Sequence, residues 1–242
     1  MFLKQYMMRP YYKLLSLSSK RSILALSCFC IFTSIISIVD AQKASNSTEL
    51  DTLFETADSL FNKKKYDEAI PYYDKILAIN ASEIDALNHK GISLWELHKY
   101  IESFTYFDQI LAINPSDVKA LNNKGLALLG LQKNDEAITY FDKVLSMNAS
   151  DVYAISNKAE ALSEIEKNEE ALSVIQKASI DNPKDETLQS TMAFILAKME
   201  KDDEAKLYYE KALKINPNLT EILYEDELDE FNRVMGNKTS HH

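Results

Sequence analysis

The segment 50–219 repeats itself every 34 residues, five times without a slip. Leu121-Asn122-Asn123-Lys124-Gly125-Leu126-Ala127-Leu128 answers Leu87-Asn88-His89-Lys90-Gly91-Ile92-Ser93-Leu94 one period earlier. Asp135-Glu136-Ala137-Ile138 likewise answers Asp67-Glu68-Ala69-Ile70 two periods earlier. A unit of this size buries its apolar side only against its neighbours, so the chain must stack rather than close into a globule. The five units are 50–83, 84–117, 118–151, 152–185 and 186–219. With 4 Gly and 5 Pro in 242 residues, the composition favours helix.

The unit 118–151 shows the local logic. Leu121, Gly125 and Leu128 recur at helical spacing, with Val118 and Leu131 extending the same side. The pattern breaks near Gln132-Lys133-Asn134. A second helix begins with Asp135 and Glu136, acids suited to the positive end of a helix, and carries the stripe Ala137, Phe141, Val144 and Leu145. Asn148-Ala149-Ser150 ends it. Asn114-Pro115-Ser116 does the same one unit earlier, and Pro cannot continue a helix.

Two columns are always small: Ala57, Gly91, Gly125, Ala159, Ala193, and Ala69, Ser103, Ala137, Ala171, Ala205. A mid-helix Gly costs about 1 kcal/mol against Ala, so two of them one period apart predict a close crossing of the two helices of a unit. A third column is large: Tyr73, Phe107, Phe141, Ile175, Tyr209.

These columns resemble the tetratricopeptide repeat family. The shared pattern is a small residue, a large one four later and a helix-ending Pro, as in Ser103…Phe107…Pro115 and Ala205…Tyr209…Pro217. The resemblance spans 50–219 and implies an all-α, right-handed α-solenoid of helix-turn-helix units. The chain departs from the family where Leu53, Leu87, Leu121, Ile155 and Gln189 replace a frequent Trp. It departs again where Lys90, Lys124 and Lys158 occupy a usually apolar place; their stems are expected to pack while the ammonium reaches water. After the last unit, Tyr224, Leu228, Phe231 and Met235 share one face of 220–235, which is expected to cap the open end. Residues 236–242 are expected to be disordered.

In this family the first helices line a concave groove, which implies a peptide-binding face. Its columns run through Asp85, Lys119 and Tyr153; Phe54, Asn88 and Asn122; His89, Asn123 and Asn157; Ile92, Leu126, Glu160 and Phe194; and Phe61, Trp95 and Leu129. Asn88, Asn122, Asn123 and Asn157 form a partial ladder of carboxamides, each both donor and acceptor like a peptide backbone. Phe54, Phe61, Trp95, Tyr153 and Phe194 are candidate aromatic anchors. An Asn in this place can instead bond neighbouring helices, and the sequence leaves both roles open. A subset of the family grips C-terminal carboxylates with a Lys/Asn/Arg clamp; here Phe54 and Asp58 stand where it would begin, so the clamp is missing.

The charge is unevenly spread. Residues 1–41 hold Lys4, Arg9, Lys13, Lys20 and Arg21 against Asp40, a net +4, which leaves −14 for the rest of a chain of net charge −10. So acidic a body repels nucleic acid. The positive flank precedes an apolar run, 22–39, and the small-x-small end Val39-Asp40-Ala41. This is the pattern of a signal peptide cleaved after Ala41, or of an uncleaved anchor spanning a membrane. Either places the repeats outside the cytoplasm. Residues 42–49 read as a linker. Asn46, Asn80, Asn148, Asn218 and Asn237 are candidate N-glycosylation acceptors, although Asn-Ala-Ser is also ordinary turn chemistry.

No catalytic, cofactor-binding or metal site is expected. Both cysteines, Cys28 and Cys30, lie in the apolar run, the four His residues are scattered, and there is no Gly-rich phosphate loop. The sequence therefore points to a scaffold or adaptor at the cell envelope with a protein or peptide partner, or to a self-associating structural component of envelope assembly that uses its convex face or cap helix.

Overall fold

The computed structural model describes residues 32–34, 36, 48–221, 223 and 225–236. The chain divides into two compact units, Met1–Glu55 and Thr56–His242. Most of the apolar run 22–39, and the acceptors Asn46 and Asn237, lie outside the described residues. So do most of the linker 42–49 and of the tail 236–242, together with Tyr224. Among the described residues no helix is long and apolar enough to cross a membrane.

In the first unit residues 48–55 are helical. The second unit opens with helical residues 56–62, here α1. It continues with α2 (Tyr66–Ile79), α3 (Ile84–Glu96), α4 (Tyr100–Ile113), α5 (Val118–Gly130) and α6 (Asn134–Met147). Then follow α7 (Val152–Glu164), α8 (Asn168–Asp181), α9 (Glu186–Lys198), α10 (Asp202–Ile215) and α11 (Glu225–Met235). Boundaries from α2 to α10 recur at the sequence period, and no strand occurs among the described residues. The second unit is an all-α, right-handed solenoid of helix pairs with a C-terminal cap.

Side-chain capping sets the phase between units. Asp117, Asp151 and Asp185 accept from the backbone N–H of Ala120, Ala154 and Leu188, which satisfies an orphan donor at the start of α5, α7 and α9. Before α3, α5 and α7 an Asn folds the chain over: Asn80, Asn114 and Asn148 accept from the N–H of Ser82, Ser116 and Ser150. Asn182 departs from this and donates to the Ala178 carbonyl. Within each pair the turn holds a left-handed residue: Lys64, His98, Gln132, Glu166 or Glu200, with φ between 58° and 62°. None is Gly, so each carries local strain of about 1 kcal/mol.

The small columns do what the close crossing requires. A Cβ on Gly91 would lie 2.7 Å from Phe107 Cε1, and one on Gly125 2.4 Å from Phe141 Cε1. Large ring and missing side chain are one fitted pair. The rows Tyr73, Phe107, Phe141, Ile175 and Tyr209, and Ala69, Ser103, Ala137, Ala171 and Ala205, are all buried. Val118 differs from expectation: it begins α5 at the junction and is exposed.

The lysine column also differs. Lys90 and Lys124 are buried, and their ammonium groups do not end in water. Each crosses to the preceding repeat, Lys90 to Asp74 and Lys124 to Asp108; Lys158 reaches Asp142 at 2.5 Å. Lys124 Nζ also sits over the Phe104 and Tyr140 rings, 4.4 and 4.7 Å from their centroids. At the fourth junction Gln176 and a buried Met192 stand in these positions. Gln189, where the repeat pattern is weakest, is buried and donates to the Ser179 carbonyl.

The cap is as expected. α11 packs on α9 and α10, and its Phe231 meets Tyr209 edge to face at 5.0 Å, with Leu228 and Met235 beside it. Arg233 ties the helix down by donating to Asp202, Glu230 and the Ala197 carbonyl.

Candidate functional site

The helices of the second unit are not equivalent. Besides touching their sequence neighbours, the first helices of successive repeats touch one another, α3 to α5, α5 to α7 and α7 to α9. They therefore form the inner face, where helix axes converge.

Carboxamides stitch this face together. Asn123 donates to Asn88 at 3.0 Å and Asn157 donates to Asn122 at 3.2 Å, each across one junction. Of the two roles left open, the helix-to-helix bond is thus made; each pair still leaves donors and acceptors over, since a carboxamide has two of each. At the N-terminal end Asp58 gathers two partners. Tyr73 donates to it at 3.0 Å, and His89 Nδ1 lies 3.4 Å away, with its ring 4.9 Å from Phe61. Burial, and then the bond to Asp58, push the Tyr73 phenol well above its ordinary range.

A cavity of about 200 Å³ opens on the inner face further along. Trp95, Leu126, Leu129 and Phe194 wall it, Gln132 and Asn134 edge it, and three carboxylate residues, Glu160, Glu164 and Glu227, complete it. Glu160 and Glu164 belong to α7, whereas Glu227 reaches in from α11 and is 7% exposed. Glu160 accepts from Thr191 at 3.1 Å, and Lys198 lies 3.6 Å from Glu164.

The expected groove residues do not all fall together. Trp95 and Phe194 line the cavity. Phe194 is buried, at 1% exposure, so it is floor rather than projecting anchor. Tyr153 is 64% exposed at the start of α7 and does not line the cavity. Asn88, Asn122, Asn123 and Asn157 are half-buried in their cross-junction pairs, and Phe54 is half-buried on the helical residues of the first unit. Sequence reasoning missed Glu164 and Glu227. Glu164 lies four residues beyond Glu160 of the groove columns, one helical turn along the same face, but Glu227 enters only because the cap folds back over the last repeat.

Asn80, Asn148 and Asn218 are exposed, and the side-chain carbonyls of Asn80 and Asn148 are held in the turns between units. Among the described residues, no group of three or more His, Cys, Asp or Glu side chains is placed to hold a metal ion.

Three family models match the chain. One described as a tetratricopeptide repeat matches residues 50–83, a second with that description matches 89–152, and the N-terminal repeat region of Psidin matches 127–225. No curated protein matches it. Among solved structures, the second unit's fold is similar to TTC0263, a tetratricopeptide repeat protein of Thermus thermophilus. That likeness has 16% identity and a TM-score of 0.64 over 77% of this chain and 97% of that one. A tetratricopeptide repeat protein from Parabacteroides merdae gives 20% identity and a TM-score of 0.65 over 78% and 71%. MamA of Desulfovibrio magneticus RS-1, from residue 41 to its end, gives 20% and 0.58 over 70% and 96%. At these identities the likeness is one of fold.

Proposed function

The chain belongs to the tetratricopeptide repeat family, and on that premise we propose that it is a non-catalytic adaptor. It holds a peptide segment of a partner protein along the inner face of its stack. One observation carries this: the cavity walled by Trp95, Leu126, Leu129 and Phe194 lies on the face where successive first helices meet. Aromatic and aliphatic walls desolvate an anchor, and the leftover capacity of the Asn pairs suits an extended backbone. Affinity capture with the full chain should recover a partner that a Leu126→Lys/Leu129→Lys variant loses. Equal recovery by that variant would remove the groove from the account.

The setting we propose is outside the cytoplasm. The support is the positive flank of 1–21, the apolar run 22–39 and the small-x-small end at Ala41. Protease added to intact cells should then degrade the repeats, and a repeat region protected until lysis would refute export. Mass spectrometry of the N-terminal peptide separates cleavage, which leaves Gln42 first, from anchoring, which leaves the residues before it in place.

A second reading is self-association through the outer face. Ile101, Ile180 and Leu207 are exposed there on second helices, and Leu172, Ile180 and Met199 line an open cavity of about 530 Å³. Light scattering that finds only monomer at high concentration would end it.

A further inference from the structure

We propose that Asn80 and Asn148 carry N-linked oligosaccharide, both on one edge of the stack. This rests on the reading above that places the repeats outside the cytoplasm, and it adds a modification in which the groove takes no part.

Three turns between repeats are built alike. Asn80, Asn114 and Asn148 follow α2, α4 and α6 with φ between −140° and −132° and ψ between 93° and 98°. Each side-chain oxygen accepts from the backbone N–H two residues on, at 3.2 Å in every case. The turn therefore needs the Asn, but neither one particular middle residue nor the serine hydroxyl. The middle residue is what differs: Pro115 in one turn, Ala81 and Ala149 in the other two. Pro in that place bars an Asn-x-Ser from accepting a sugar, whereas Ala leaves it open. Asn114 is thus an internal control, with the same turn and no competence.

The fold also separates the acceptors. All three residues of Asn80-Ala81-Ser82 and of Asn148-Ala149-Ser150 are exposed. The turn at Asn148 is made through the side-chain oxygen, so the amide nitrogen, which takes the sugar, is not part of it. At Asn80 that nitrogen donates to Glu83 at 2.9 Å, an exposed bond that water replaces at little cost. Asn218-Leu219-Thr220 reads the same in sequence but not in space. Leu219 is fully buried, in one core cluster with Tyr209 and Phe231. Presenting Asn218 to an enzyme means pulling Leu219 out of that core.

The transfer needs a lipid-linked sugar phosphate as donor and an enzyme to apply it. The amide nitrogen bonds to the anomeric carbon and the carbon–oxygen bond to the phosphate breaks. The phosphate leaves with the electron pair, and one amide proton passes to a base of the enzyme.

The two acceptors lie two repeats apart along the edge formed by the turns between repeats. The inner-face cavity draws on Trp95, Leu129 and Glu164, at the other ends of the first helices. Those helices have 13 residues, about 20 Å of separation. Bulky hydrophilic chains on this edge leave the cavity clear and keep the edge itself from associating.

Mass spectrometry of peptides from the chain purified out of its source cells tests this. Peptides holding Asn80 and Asn148 should carry carbohydrate mass, and those holding Asn114 and Asn218 should not. Ser150→Ala keeps the turn, whose donor is a backbone N–H, and should empty Asn148 with unchanged circular dichroism. Pro115→Ala should create a third occupied site at Asn114.

Bare Asn80 and Asn148 on chains whose repeats are degraded by protease added to intact cells overturn the proposal and leave the export reading standing. Bare peptides from chains protected until lysis remove both. Sugar that persists at Asn148 in Ser150→Ala overturns the assignment, since the serine would then play no part. So does Asn218 occupied as fully as Asn148, since exposure in the fold would then not choose the site. No gain at Asn114 in Pro115→Ala would show that this turn does not present an acceptor, and would overturn it as well.

Discussion

Lys124 donates its ammonium to Asp108, sixteen residues earlier and one repeat back. The same bond joins Lys90 to Asp74 and Lys158 to Asp142. Three of the four junctions between repeats are thus bridged by a lysine running through the stack. The partners differ in exposure: the Lys124 side chain is 8% exposed and that of Asp108 46%. Removing the aspartate strands a buried cation; removing the lysine releases a half-solvated anion. Asp108→Ala should therefore destabilise by about 2 kcal/mol, between the ~3–5 of a buried pair and the ~0–1 of an exposed one. Lys124→Met should be nearly neutral, as the Met192 junction suggests. Urea midpoints of the two variants check the asymmetry.

The close crossing at Gly125 gives a second expectation. A Cβ there would meet Phe141 at 2.4 Å. Overpacking costs about 1–3 kcal/mol and the gain in helix propensity returns about 1, so Gly125→Ala should lose about 1 kcal/mol. Adding Phe141→Leu should restore tolerance of the Ala, as where Ala159 shares its repeat with Ile175. The double-mutant cycle measures it: zero coupling energy would mean that ring and glycine are not one unit.

The left-handed turn residues offer stabilisation without contacts. Gln132 has φ 58° and Glu166 62°. Glycine removes the Cβ penalty at such a position, less the entropy it adds to the unfolded chain. Gln132→Gly and Glu166→Gly should each gain about 0.5 kcal/mol, and Gln132→Val should lose more than that. Thermal midpoints decide the sign.

Alkaline unfolding should be steep. Burial lowers the affinity of Lys90 and Lys124 for their protons, but the bonds to Asp74 and Tyr106, and to Asp108 and Tyr140, outweigh it and hold both above the ordinary value of 10.5. Burial and Asp58 hold the Tyr73 phenol above its ordinary 10.0. In each case the folded state keeps a proton that the unfolded state releases, so this stability is complete below about pH 10 and falls as pH rises further. Unfolding free energy measured by urea from pH 8 upward should be flat to about 10 and then decline, and Lys124→Met should shallow the decline.

Much of this molecule was legible because the period repeats the same physics five times. Gly91 and Gly125 stand out against Ala57, Ala159 and Ala193, and only a close crossing explains two unfavourable residues one period apart. The cap was legible from Leu228, Phe231 and Met235 on one side of a helix. The lysine bridges were not, since Lys124 and Asp108 become neighbours only once repeats stack. The signal existed, because Asp74, Asp108 and Asp142 give way to Gln176 where the lysines give way to Met192. The left-handed turns were hidden because Lys64, His98, Gln132, Glu166 and Glu200 share no residue type. The columns through Leu126 and Trp95 do supply lining of one cavity, whereas Phe194, expected as an anchor, is buried by the fold. Glu227 reaches the cavity by a return of the chain that periodicity does not encode.

The measurement that bears most directly on the groove places a photo-crosslinking amino acid at Leu129 on the inner face, and in a second strain at Leu207, which is 52% exposed on a second helix. Both full-length chains are irradiated in intact cells of the source organism. Leu129 should form an adduct with a partner protein, and Leu207 should not. Adducts from Leu207 alone, or from neither position except to a second copy of the chain, would contradict an inner-face binding groove.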